Sequence, residues 1–227
     1  GHDIPEPQIG MPTKLFGGTL STEFGNGKGN VYAPYVIFEN GVYKMWYGGQ
    51  GGDGHDRIHY AESSDGLNWT KKGVVLDRGS SNHVNDPSVL KIGATYYMYY
   101  TDSPTTELDE IHLATSNDGI SWEKRDSVIT SSNSWNKYVG RPSVIYDEGI
   151  FKMWYDGRTN SHPGTESKIG YATSSDGFSW THYTDNPIFT DDAYDEGQRL
   201  SKVAAVNVKK IGNQYVMVYQ AKGTKWA

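Results

Sequence analysis

The feature that most constrains this 227-residue chain is a phrase that comes back. Tyr43-Lys44-Met45-Trp46-Tyr47 returns as Tyr96-Tyr97-Met98-Tyr99-Tyr100 and as Phe151-Lys152-Met153-Trp154-Tyr155. A looser copy is Tyr215-Val216-Met217-Val218-Tyr219. Nine residues before each of the first three copies stands a proline: Pro34, Pro87 and Pro142. Downstream of each comes a second phrase, Ser-x-Asp-Gly-x-x-Trp, which ends at Trp69, Trp122 and Trp180. The prolines lie 53 and 55 residues apart and the tryptophans 53 and 58. Several phrases in fixed order at a near-constant period mean one supersecondary unit used repeatedly.

Each unit reads as four short strands. The first follows the proline, as in Ser88-Val89-Leu90, and turns at Asn40-Gly41, Gly93-Ala94 or Glu148-Gly149, where positive φ is tolerated. The second is the Met-Trp-Tyr run, the third resembles Ile58 to Ser63, and the fourth follows the tryptophan, as in Trp69 to Leu76. Useful helical periodicity is absent. Four antiparallel strands repeated radially make a β-propeller blade. The expected fold is therefore all-β, one propeller domain over 1–227. Its parts are a leading strand and crossing over 11–30, complete blades at 31–76, 84–130 and 139–190, and a partial blade at 200–227. Either the chain is a fragment of a five-bladed ring or another chain supplies the missing strands. An uncovered half-blade leaves an edge that invites pairing, so a homo-oligomer completing it, or a strained small ring, is expected.

Composition excludes several partners. Net charge is −6 with no Lys/Arg cluster, which argues against nucleic acid. No apolar run approaches the ~18 residues of a membrane span. With no cysteine there is neither a disulfide nor a thiolate metal site, and neither a metal nor a cofactor is expected. Gly1-His2 reads as the scar of a removed tag. The residues leave the compartment open, with a secreted or periplasmic one expected.

Propeller geometry gathers the loops between fourth and first strands, and between second and third, on one face around the axis. The residue before each proline points to that mouth: Ala33, Asp86 and Arg141. The second-to-third loops, 48–57, 101–110 and 156–168, are unequal and rich in Gly, Asp, Glu and His, as functional loops on a regular scaffold are. Non-repeating side chains there are the candidate binding residues: Arg141, Asp102, Asp156, Arg158, His55, His83 and Trp135. Arg141 is suited to bind an anionic group bidentately, or to pair with Asp86 and lower its pKa. The recurring Asp65, Asp118 and Asp176, the three phrase-ending tryptophans, and His59 with His112 are read as structural, since one site does not need three copies.

Asn85-Asp86-Pro87, the Met-Trp-Tyr strand and the Ser-x-Asp-Gly-x-x-Trp phrase together resemble the five-bladed glycoside hydrolases of families 43, 32, 68 and 130. That resemblance implies an aspartate on the first blade, another two blades on and a glutamate on the fourth. Here the first position holds Ala33 and the later one Arg141. Asp86 is left as base or nucleophile and Glu196 as acid, with Asp102, Asp156 and Glu166 in reserve. Cleavage between sugars needs two carboxyl groups across the scissile bond, one of them protonated near neutral pH. The implied ligand is a poly- or oligosaccharide. The alternative is a carbohydrate-binding or assembly propeller without catalysis.

Overall fold

The computed structural model describes residues 30–131, 135–160, 167–190, 194–195 and 198–223. They form four antiparallel sheets, with no helix among the described residues. The first blade comprises β1 (Val31–Glu39), β2 (Val42–Gln50), β3 (Asp56–Ser63) and β4 (Thr70–Leu76). The second comprises β5 (His83–Ile92), β6 (Thr95–Thr105), β7 (Leu108–Ser116) and β8 (Glu123–Ile129). The third comprises β9 (Tyr138–Asp147), β10 (Ile150–Arg158), β11 (Ser167–Ser174) and the two-residue β12 (Thr181–His182). The fourth sheet holds β13 (Tyr194–Asp195), β14 (Gln198–Ile211) and β15 (Gln214–Gly223). Strands pair in chain order, as a radially repeated meander requires.

The recurring phrases are the packing units of this propeller. Trp46 and Tyr99 are fully buried between blades, and each donates a hydrogen bond into the next blade's Asp-Gly turn. Trp46 Nε1 reaches Gly119 O at 2.8 Å, and Tyr99 Oη reaches Gly177 O at 2.9 Å. The turns are self-capped: Asp65 Oδ1 accepts the amides of Leu67 and Asn68 at 2.8 Å, and Asp118 and Asp176 repeat the arrangement. Trp69, Trp122 and Trp180 each donate to the glycine carbonyl of their own turn. His59 stacks on Tyr47, and His112 bonds Glu110. Near the axis, Val144 N donates to Ser88 Oγ and Val208 N to Ser143 Oγ, tying neighbouring inner strands together.

Every innermost strand is broken by a bulge at the equivalent place, and β14 shifts register a second time between Leu200 and Lys202. The register shifts between Tyr32 and Tyr35, between Asn85 and Ser88, opposite Trp154 to Asp156, and between Ala204 and Asn207. The residue at the bulge takes positive φ in all four: Ala33 at 49°, Asp86 at 50°, Arg141 at 49° and Ala205 at 50°. A bulge re-aims one side chain and twists the strand, and a non-glycine residue in the left-handed region costs of order 1–3 kcal/mol. The fourth bulge lies within β14, at Ala205. Val206 stands there in place of proline, so the proline signal does not mark it.

Candidate active site

The four bulges point into one axial cavity of about 1090 Å³. Its wall includes Tyr32, Asp56, His83, Asn85, Asp86, Thr101, Asp109, Arg141, Arg158 and Asn207. Of the residues picked from sequence, Asp86, Arg141, Arg158 and His83 line it.

Thr101 organises the centre. Its Oγ1 donates to Asp86 Oδ2 at 3.2 Å and accepts the Arg141 amide at 2.9 Å. Only glycine admits Thr101 so close to the third inner strand, because a Cβ on Gly140 would stand 2.8 Å from Thr101 Oγ1. The Arg141 guanidinium lies between two carboxylates, with Nη1 at 3.1 Å from Asp156 Oδ2 and Nε at 3.9 Å from Asp86 Oδ2. Asp156 also accepts the Ala205 amide, at 2.9 Å on Oδ1. The closer partner of Arg141 is thus Asp156, below the cavity wall.

This division sets the protonation pattern. Burial raises the Asp86 carboxyl above the ordinary carboxylate range, and the attraction of Arg141 and the Thr101 hydrogen bond recover only part of that rise. Pairing with Arg141 was expected to lower Asp86. Arg141 does pull it down, but burial outweighs that pull, because the carboxyl is only 14% exposed and its guanidinium partner stands 3.9 Å away and is shared. A carboxyl shifted in this direction is better suited to give up a proton near neutral pH than an ordinary one. Burial likewise pushes Asp156 up to about 6, against the pull of Arg141.

Around this centre, Arg158 Nη2 pairs with Asp109 Oδ2, and Asp109 also accepts Ser103 Oγ at 2.5 Å. Across the cavity Asp56 Oδ2 lies 3.1 Å from His83 Nδ1, and Asn85 Nδ2 donates to Tyr32 Oη at 3.1 Å. Burial, and then the neighbouring Asp86 and Asp56, raise the Tyr32 phenol far above its ordinary value, so it stays protonated. Among the described residues no group of three His, Asp or Glu could hold a metal ion.

Four sequence candidates do not line the cavity. Asp102 is buried beneath the wall, 4.0 Å from His112 Nδ1, and Asp156 is buried behind Arg141. His55 stands outside with its ring 5.4 Å from that of His83. Trp135 stacks on Tyr155 at 6.1 Å, against the glycines at 157 and 170, whose added Cβ atoms would strike its ring. Its role here is packing between strands. Glu196 and Glu166 lie outside the described residues. Tyr32, which its place near a crossing marks as a rim aromatic, is a wall residue hydrogen-bonded within the site, whereas sequence reasoning missed Asp56 and Asp109. The two aspartates occupy one repeat position, three residues before His59 and His112, in loops already marked as polar.

Comparison with known proteins agrees with this architecture. Residues 78–225 match the family model of the glycosyl hydrolases family 32 N-terminal domain. An uncharacterized protein of Mycobacterium tuberculosis is 37% identical over 114 residues, covering 47% of this chain and 36% of that protein. A 1,2-beta-oligomannan phosphorylase of Thermoanaerobacter sp. is 30% identical over 116 residues, covering 45% and 39%. The chain thus matches little more than a third of each relative's length. Among solved structures, a thermostable family-43 glycoside hydrolase superposes with a TM-score of 0.71 at 24% identity, over 84% of this chain and 65% of the other. A family 117 glycoside hydrolase from Zobellia galactanivorans gives 0.64 at 19% identity, over 86% and 67%. The Bombyx mori family 32 beta-fructofuranosidase gives 0.64 at 15% identity, over 86% and 44%. At such identities the structures share the fold.

Proposed function

The chain belongs to the family of the glycosyl hydrolase family 32 N-terminal domain, and on that premise we propose that its axial cavity binds an oligo- or polysaccharide and cleaves a glycosidic bond with Asp86 as general acid. One observation carries this reading. A bulge fixes Asp86 at the axis with φ of 50°, and burial raises its carboxyl above the ordinary carboxylate range although Arg141 is beside it. In the proposed step the Asp86 proton passes to the glycosidic oxygen as the bond to the anomeric carbon breaks. The departing sugar leaves as an alcohol, and Asp86 becomes a carboxylate that Arg141 and Thr101 stabilise. Water then adds to the anomeric carbon, its proton taken by a second carboxylate. Asp109 is the described cavity carboxylate whose charge acts on Asp86.

The name of the phosphorylase relative supports a second reading, in which phosphate replaces water as the attacking group. The guanidiniums of Arg141 and Arg158 in the wall suit an anion there. Release of reducing sugar from a glycan panel, with and without phosphate, separates the two. Asp86→Asn is expected to lower turnover by roughly 10²–10⁴-fold while leaving glycan binding intact. Unchanged turnover removes Asp86 from the chemistry. Binding without turnover in the unsubstituted protein makes it a carbohydrate-binding propeller instead.

A further inference from the structure

The first blade brings a phenol to the cavity where its bulge brings no acid. Of the four bulge residues, Ala33, Asp86, Arg141 and Ala205, Asp86 alone is a carboxylic acid. The residue before Ala33 is Tyr32, which lines the cavity. Its ring lies across Gly48, its register partner on β2, where an added Cβ would stand 3.1 Å from Tyr32 Cε2. Asn85 Nδ2 donates to Tyr32 Oη at 3.1 Å, which leaves the phenol's own proton to be given elsewhere. The group that receives it is Asp56, hydrogen-bonded to the phenol.

Asp56 is built as a base for that proton. It is buried, and its Oδ1 makes no close hydrogen bond among the described residues, so a lone pair is ready to accept. His83 Nδ1 stands 3.1 Å from Asp56 Oδ2 and 3.1 Å from the Asp56 amide nitrogen, which fixes the carboxylate from its other side. A weak hydroxyl nucleophile beside a base, with the base oriented by a third group, is the arrangement that activates such hydroxyls. The other cavity aspartate is less suited to attack, because Arg158 and Ser103 already engage the two oxygens of Asp109. The phenol also shares its end of the cavity with the acid. The charge of Asp86 acts on Tyr32, and Tyr32 acts on Arg141. Burial keeps the phenol neutral at rest, so it becomes nucleophilic only as Asp56 takes its proton.

From this geometry we infer that Tyr32 is the nucleophile of the site, with Asp56 as the base that takes its proton and His83 holding Asp56 in place. The inference rests on the cleavage reading above and adds a covalent stage to it. As Asp86 protonates the glycosidic oxygen and the bond to the anomeric carbon breaks, Tyr32 Oη bonds to that carbon and the phenol proton passes to Asp56. Water then adds to the anomeric carbon, the carbon–Oη bond breaks, and Tyr32 recovers its proton from Asp56. The proton that water gives up goes to Asp109 and from there to Asp86, which restores every group. The anomeric carbon is inverted twice, so the freed sugar keeps the configuration of the bond that was cut. Direct attack by water or phosphate inverts it once.

The test takes the full chain and a glycan that the panel shows to be cleaved. Proton NMR of the first-formed sugar, before it mutarotates, is expected to show retention. Inversion overturns the inference and leaves Asp86 standing as the acid, whereas a panel with no cleaved glycan fells the cleavage reading and this one with it. The matching dinitrophenyl glycoside, whose leaving group needs no acid, separates the two roles. Asp86→Asn should still release a stoichiometric burst of dinitrophenol, and Tyr32→Phe none; a burst from Tyr32→Phe overturns the inference. Asp56→Asn should lower turnover of the glycan by roughly 10²–10⁴-fold, and unchanged turnover removes Asp56 as the base. The unsubstituted protein carries the test even if Tyr32→Phe does not fold. Quenched during reaction with an analogue fluorinated beside the anomeric carbon, it should bear one glycosyl unit on the peptide that contains Tyr32. A label on Asp109 or any other residue, or a burst without a label, overturns the inference.

Discussion

Asp156→Asn probes the electrostatics of the axial site through the pH dependence of stability. Asp156 is fully buried, and burial carries its carboxyl from the ordinary 3.8 to about 6 despite the pull of Arg141. In the unfolded chain it returns to the ordinary value. Between those two values the folded protein holds a proton that the unfolded chain has released, so stability falls as pH rises through the window. At about 1.36 kcal/mol per tenfold change in acidity, the difference comes to about 3 kcal/mol. The protein is therefore about 3 kcal/mol less stable above pH ~6 than below pH ~4 on account of this group. Asparagine keeps the shape but cannot titrate. Urea unfolding of both proteins from pH ~4 to ~7 isolates the effect by subtraction. This removes the contributions of Glu39 and Asp147, whose lowered pKa values act in the opposite direction. The unsubstituted protein should lose about 3 kcal/mol more than the variant over that range. Stability curves that run parallel would refute the claim that burial outweighs Arg141 at this carboxyl.

Two further changes test the parts that hold the site. Thr101→Val keeps the side-chain shape but removes the hydroxyl shared by Asp86 and the Arg141 amide. Chemical denaturation should show a loss of about 1–3 kcal/mol, because the amide is left unpaired in a part-buried site, and turnover should fall more than binding. Gly177→Ala places a Cβ 2.8 Å from Tyr99 Oη at φ of 81°, whereas Gly93→Ala, at φ of 59°, meets nothing within 4 Å. The second should cost only the left-handed conformation, about 1–2 kcal/mol, and the first clearly more when their unfolding midpoints are compared.

Much of the fold was legible because its information is local and repeated. The Met-Trp-Tyr run, the Asp-Gly turns and the phrase-ending tryptophans do the same job in each blade, so three copies corroborate one another. The axial position was legible only where proline marks it. Ala33, Asp86 and Arg141 were placed correctly, while Ala205 was missed because Val206 follows it, although its backbone φ of 50° matches the other three. The rule that a repeated residue is structural served well for Asp65, Asp118 and Asp176, which cap their own turns. It does not extend to Asp56 and Asp109, which share a repeat position yet both line the cavity, since equivalent positions near the axis face one shared space. Trp135 is a candidate binding residue by its place in the chain, but its ring fills the space left by the glycines at 157 and 170.

The sequence by itself determined the blade: its strand order, its tight turns and, where a proline follows, the residue presented to the axis. Those properties depend on backbone preference and on side-chain alternation among residues close in the chain. The tertiary structure decided which groups meet at the axis and which of them keep a proton. Arg141 is drawn toward Asp156, Asp156 is held by the Ala205 amide of the next sheet, and Asp86 is left more desolvated than compensated. Desolvation is a sum over every neighbour that displaces water, and those neighbours come from different blades, so no local stretch of sequence contains its sign.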